Sequence, residues 1–175
     1  MLTIKRLLCE HLENPIGLGE RIPRFSWILD SQERNVLQRS YRLMVSEDPF
    51  FGRILWDSGE VGSDESLLVP YGGSPLSPET RYFWRAMVWD NHDNFSPWSE
   101  TAFFETGLWD PQNWQAAFIT GEAPEDADKS DAKLLRKEFT LSGDIVSARV
   151  YATALGLYEL FINGRRVGDS LLTPG

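Results

Sequence analysis

The sequence predicts an all-β protein, with an antiparallel β-sandwich over residues 1–107 followed by an incomplete second β-domain over residues 108–175. Three observations carry this. Stretches with apolar residues at i, i+3, i+4 and i+7, the spacing of one helix face, are nearly absent. Short stretches with strand character recur instead, each a few residues long. Gly, Pro, Asn and Asp punctuate them at short intervals, as turns between antiparallel strands require.

The elements follow in order. Arg39 to Val45 alternates, with Tyr41, Leu43 and Val45 on one face. Ile54 to Gly59 is a short strand running into a turn at Ser58-Gly59. Ser66 to Pro70 is another, closed by Pro70 and the Gly72-Gly73 pair. Arg81 to Asp90, RYFWRAMVWD, carries the strongest strand signal. Its Tyr82, Trp84, Ala86 and Val88 share the face expected to enter the core. Phe83, Arg85, Met87 and Trp89 share the other face, which is apolar enough to need a cover of its own. Asp90 to Asn94 is a polar hairpin tip, and Thr101 to Glu105 is the last strand of the set.

A boundary is expected after Gly107. Beyond it, residues 121–131 hold five acidic side chains and read as a solvated loop, because they lack the spaced carboxylates and fixed glycine of a calcium loop. Lys133 to Leu141 and Ile145 to Ala154 are expected strands. A hairpin follows at Leu160 to Val167, turning on Asn163-Gly164.

Composition narrows the function. A net charge of −9 opposes binding to nucleic acid or an anionic membrane surface, since phosphates would be repelled. The single cysteine, Cys9, cannot form an internal disulfide, and no Cys/His cluster suggests a metal; no cofactor is expected. The first residues are interrupted by Lys5, Arg6 and Glu10, unlike a secretory leader, so a cytoplasmic location is expected. No run approaches the length of a membrane-spanning segment.

Leu76, Pro78, Thr80 and Tyr82 form a Leu-x-Pro-x-Thr-x-Tyr corner leading into the strongest strand. This resembles the corner of fibronectin type III domains, in which the tyrosine ring enters the core and its hydroxyl ties to upstream backbone. A wider set of stretches is more specific. ENPIGL (13–18), PRFSW (23–27), QRSYR (38–42), LWDSG (55–59), TRYFWR (80–85) and FFETGL (103–108) together resemble the start of bacterial α-L-rhamnosidases. LLRKEF (134–139) and ALGLYELFINGRRVG (154–168) continue the resemblance in the same order. It implies a type III-like module first and then a jelly-roll-like domain, of which only the opening strands fall within 108–175. It further implies a catalytic α/α toroid, not found in this sequence, that cleaves a rhamnosylated glycoside with inversion. No residue here matches a catalytic motif of that family.

The residues themselves agree. Inverting hydrolysis needs two carboxyl groups ~6.5–9.5 Å apart, one with a raised pKa. Asp57 with Glu60, and Asp90 with Asp93, are nameable pairs, yet each flanks a turn and reads as turn-forming chemistry. Trp89 and Trp98, near the polar tip, are the candidate carbohydrate contacts, because pyranose C–H faces pack on rings. Two readings follow: a noncatalytic fragment that supports the toroid, or a carbohydrate-binding or adhesion module acting through exposed aromatics. The short second domain should leave strand edges open, so self-association through residues 114–175 is expected.

Overall fold

The computed structural model describes residues 2–121 and 132–174. Residues 122–131, nearly all of the acidic stretch, lie outside the described residues. The chain divides into two units, residues 1–115 and 116–175.

The first unit is built of seven strands: β1 (Thr3–Cys9), β2 (Arg24–Asp30), β3 (Gln38–Ser46), β4 (Ile54–Asp57), β5 (Val69–Pro70), β6 (Arg81–Asp90) and β7 (Ala102–Glu105). They form a three-stranded sheet β1-β2-β5 and a four-stranded sheet β4-β3-β6-β7, antiparallel throughout. The period-2 pattern of RYFWRAMVWD is realised along β6, where buried and half-buried residues alternate over its full length. Tyr82, Trp84, Ala86 and Val88 are all inside. Leu43 and Val45 of β3 meet them there, with Phe25 and Trp27 supplied by the opposite sheet. Phe25 sits at the centre, its ring 4.5 Å from Trp84 and 5.8 Å from Phe104. Aromatic burial on this scale is the main favourable term for the sandwich.

β1 and β2 add to the strands expected from sequence. In β1 the register slips between Ile4 and Arg6, so a bulge interrupts the alternation that would have marked the strand. In β2, Ser26 is buried between Phe25 and Trp27, and its hydroxyl accepts the Leu68 N–H at 2.8 Å.

The outer edge of β7 is closed by the segment Asn14–Leu18. Glu105 N–H donates to the Pro15 carbonyl and Leu18 N–H donates to Glu105, both at 2.9 Å. Phe103 N–H donates to the Asn14 side chain. Gly107 completes the seam, donating to Leu18 at 2.8 Å. Past this point the chain stays tied to the first unit: the Trp109 indole donates to the Leu18 carbonyl at 3.1 Å, and Arg21 pairs with Asp110 at 2.9 Å.

In the second unit the expected hairpin is present, as β8 (Phe161–Ile162) and β9 (Arg165–Arg166). Asn163 and Gly164 both have positive φ, 49° and 76°, as a type I′ turn demands. Among the described residues the expected strands 133–141 and 145–154 are not formed, and no residue of 116–174 is buried. An extended segment becomes a strand only when a neighbouring strand takes its N–H and C=O groups in a ladder, and among the described residues no strand pairs with either stretch.

Candidate functional site

With its inner face filled by the core, the four-stranded sheet offers chemistry only on its outer face. There β3 contributes Arg42 and Met44, and β6 contributes Arg81, Phe83, Arg85, Met87 and Trp89. The Arg85 guanidinium lies over two rings, 4.0 Å from the Phe51 centroid and 4.4 Å from Trp98. Arg42 lies 5.8 Å from the same Trp98 ring and forks onto Asp57, with Nε to Oδ1 at 2.8 Å. Arg81 lies 4.3 Å from Phe103 and pairs with Glu105 at 3.1 Å. Guanidinium groups suit such stacking because they are planar and weakly hydrated.

A clamped turn positions Phe51. The Asp48 carboxylate accepts N–H bonds from Phe50 at 2.9 Å and Arg53 at 2.7 Å. This holds Phe51 at a positive φ of 60°, uncommon for a bulky side chain, with its ring tucked under Arg85. The neighbouring Phe50 points outward, 91% exposed.

Arg85 differs from its neighbours. Among the described residues no carboxylate lies within ion-pair distance of it, whereas Arg42 and Arg81 each hold one. One of its terminal nitrogens reaches the Met44 sulfur at 3.5 Å, and its buried Nε has no hydrogen-bond partner. Burial pushes its pKa down and the Arg42 charge adds to this, with Asp57 opposing. Sequence reading did not single out Arg85 or Phe51. The available signal was an arginine amid Phe83, Met87 and Trp89 on an otherwise apolar outward face.

Of the two candidate carbohydrate contacts, Trp98 is half-buried with its ring against the guanidinium groups of Arg85 and Arg42. Trp89 is half-buried, opposite Ser40 in β3 and bridged to Phe95 across the polar tip. Both belong to the outer side of the four-stranded sheet.

The nameable carboxylate pairs are occupied. Asp57 takes the Arg42 fork and the Gly59 N–H; Arg42 is the main cause holding its carboxyl below the usual range. Glu60 takes the Ser40 hydroxyl at 2.7 Å and Arg39 at 3.2 Å. Burial pushes Asp90 up, but bonds from Asn94 and His92 outweigh it and leave the carboxyl low. Asp93 pairs with Arg39. A general acid needs a raised pKa, and both resolved shifts run the other way. Cys9 is buried, and burial pushes its thiol far up, which suits a packing role better than a nucleophile. Among the described residues no group of three His, Cys, Asp or Glu could hold a metal ion. No helix among them is long and apolar enough to cross a membrane.

The sheet order and the Tyr82 corner define an immunoglobulin-like β-sandwich module, bearing an arginine–aromatic surface. The sequence model described as the Rha78A-like N-terminal immunoglobulin domain matches residues 4–110, and that of the α-L-rhamnosidase N-terminal domain matches residues 143–175. The chain belongs to the α-L-rhamnosidase family, of which it carries an N-terminal portion. It is 32% identical to an α-L-rhamnosidase of Formosa agariphila, over 99% of this chain and 21% of that protein. To one of Streptomyces avermitilis it is 33% identical, over 90% of this chain and 18% of that one. The structure of α-L-rhamnosidase from Dictyoglumus thermophilum superposes with a TM-score of 0.83 at 36% identity, covering 98% of this chain and 21% of that one. The native enzyme of Aspergillus terreus gives 0.83 at 34%, covering 100% and 20%. The chain thus spans about a fifth of the length of the curated relatives it matches.

Proposed function

We propose that the chain is the noncatalytic N-terminal β-portion of a longer α-L-rhamnosidase polypeptide, and that it packs against and supports a catalytic α/α toroid formed by the remainder. The observation that carries this is coverage: relatives are matched over nearly all of this chain and only about a fifth of their own length. The whole enzyme hydrolyses a terminal α-L-rhamnosyl bond of a rhamnosylated glycoside with inversion. That chemistry needs one carboxyl of raised pKa, and the lowered Asp57 and Asp90 fit a supporting role instead.

The purified chain is expected to release no product from an aryl α-L-rhamnoside above background; turnover by the chain alone would sink this reading. Titration with L-rhamnose followed by tryptophan fluorescence checks the carbohydrate-module reading, in which Trp89 or Trp98 would answer saturably below millimolar concentration. Residues 114–175 also drive self-association of the isolated chain. Exposure of Leu134 (94%), Val146 (98%) and Leu155 (91%) supports this. A monomer by light scattering at high protein concentration would remove it.

A further inference from the structure

We propose that the Phe50–Arg85 face of the four-stranded sheet is the surface on which the remainder of the parent polypeptide docks, through a segment that brings a carboxylate to Arg85 and an apolar pocket to Phe50. This rests on the supporting role proposed above.

Three observations lead to it. Among the described residues the Arg85 guanidinium, lying over two rings, has a buried, unpartnered Nε–H and no ion pair, and with one terminal nitrogen on the Met44 sulfur its other terminal N–H donors are left for an incoming carboxylate. The clamp on Asp48 keeps Phe51 at positive φ and fixes the turn, so Phe50 projects from a rigid support as an aromatic anchor. The charge on the face selects the occupant. Arg42 and Arg81 already hold Asp57 and Glu105, and of these three cations Arg85 alone has no carboxylate within ion-pair distance among the described residues. A second copy meeting it face to face would bring Arg42, Arg81 and Arg85 again, with Asp57 and Glu105 already paired. A pyranose would meet a Trp98 ring already engaged by guanidinium.

The test uses the full-length polypeptide that carries this chain, with Phe50→p-benzoylphenylalanine as a photo-crosslinker and the adduct mapped by mass spectrometry. An intramolecular adduct to a segment outside residues 1–175, beside an Asp or Glu, is expected. Adding Arg85→Gln should lower its yield about tenfold, the equivalent of ~1.4 kcal/mol, and Arg34→Gln should leave it unchanged. Because Arg85 also packs on two rings, Arg85→Lys is the companion variant: it keeps the charge and loses the fork, and several-fold lower yield is expected with the fluorescence-monitored unfolding midpoint unchanged. An adduct between two copies, an adduct inside residues 1–175, no adduct, or a yield insensitive to both Arg85 variants would overturn the docking face. Turnover of an aryl α-L-rhamnoside by the same preparation is read separately. Turnover without the adduct rejects this face alone, whereas no turnover rejects the supporting role.

Discussion

The Ser77 N–H donates to the Tyr82 hydroxyl at 2.8 Å, while the Tyr82 ring lies 5.4 Å from Phe104 in the core. One side chain therefore joins the β5–β6 crossover to the packed interior. Thr106, fully buried, reinforces the same corner by accepting Thr80 N–H at 2.9 Å and donating to the Ser77 carbonyl at 2.7 Å. Tyr82→Phe keeps the ring and removes the hydroxyl. Ser77 is exposed, so water can take its N–H, and the expected loss is about 1 kcal/mol. Urea unfolding followed by tryptophan fluorescence measures it cleanly, because all seven tryptophans lie between Trp27 and Trp114, in the first unit.

Trp84 is fully buried, yet among the described residues its indole N–H has no partner. Trp84→Phe discards that unpaired donor along with some volume, and the two effects oppose one another. Its expected cost is below ~2 kcal/mol, against ~3–5 kcal/mol for Phe104→Ala, which only opens a cavity. Equal costs from urea denaturation would show that the orphan N–H carries no penalty.

Much of the sandwich was legible because period-2 alternation runs the full length of β6, because the bulge of β3 against β6 falls at its first residues and leaves Tyr41, Leu43 and Val45 in step, and because Leu76 to Tyr82 is a corner with its own chemistry. β1 escaped for a physical reason: the bulge at Ile4–Arg6 shifts the alternation within a seven-residue strand. The seam on β7 escaped because its partners, Asn14 and Phe103, lie 89 residues apart. The outer-face site was hidden for a related cause. The alternation placed Arg85 on an apolar outward face in need of a cover, but the ring that meets it comes from the 48–53 turn, which folds Phe51 against it and is set by the Asp48 clamp. In the second unit the Asn163-Gly164 turn was legible from two residues, since their φ preference is local, whereas strand pairing for 133–154 is not.

That seam gives the next prediction. A Cβ on Gly107 would fall 2.8 Å from the Gly17 carbonyl oxygen, a backbone atom that cannot swing aside. Gly107→Ala should therefore push the 14–18 segment off β7 and cost about 1–3 kcal/mol. Hydrogen exchange should quicken at Leu18 and Glu105, whose N–H groups close the edge. Gly62→Ala, where a Cβ meets nothing within 4 Å, is the control expected to stay within about 0.5 kcal/mol of the parent.

Acid should weaken the first unit through its paired carboxylates. Asp57 is held low first by the Arg42 fork, Glu10 by Arg24, and Asp90 by turn N–H bonds that outweigh its burial. A carboxyl whose folded pKa lies below its unfolded value contributes stability above the unfolded value, near pH ~4, and loses it as pH falls through the folded value. The urea midpoint should hold at neutral pH and fall progressively below about pH 5. Asp57→Asn separates this pair from the rest. At pH 7 it should cost about 1 kcal/mol, the upper range for a partly exposed pair, because the contact is bidentate. At low pH the unmodified chain also loses that contact, so the two midpoints should converge. A gap that stayed constant from neutral to strongly acidic pH would mean that the Arg42–Asp57 pair adds no pH-dependent stability, and that the acid response belongs to Glu10, Asp90 and the remaining carboxylates.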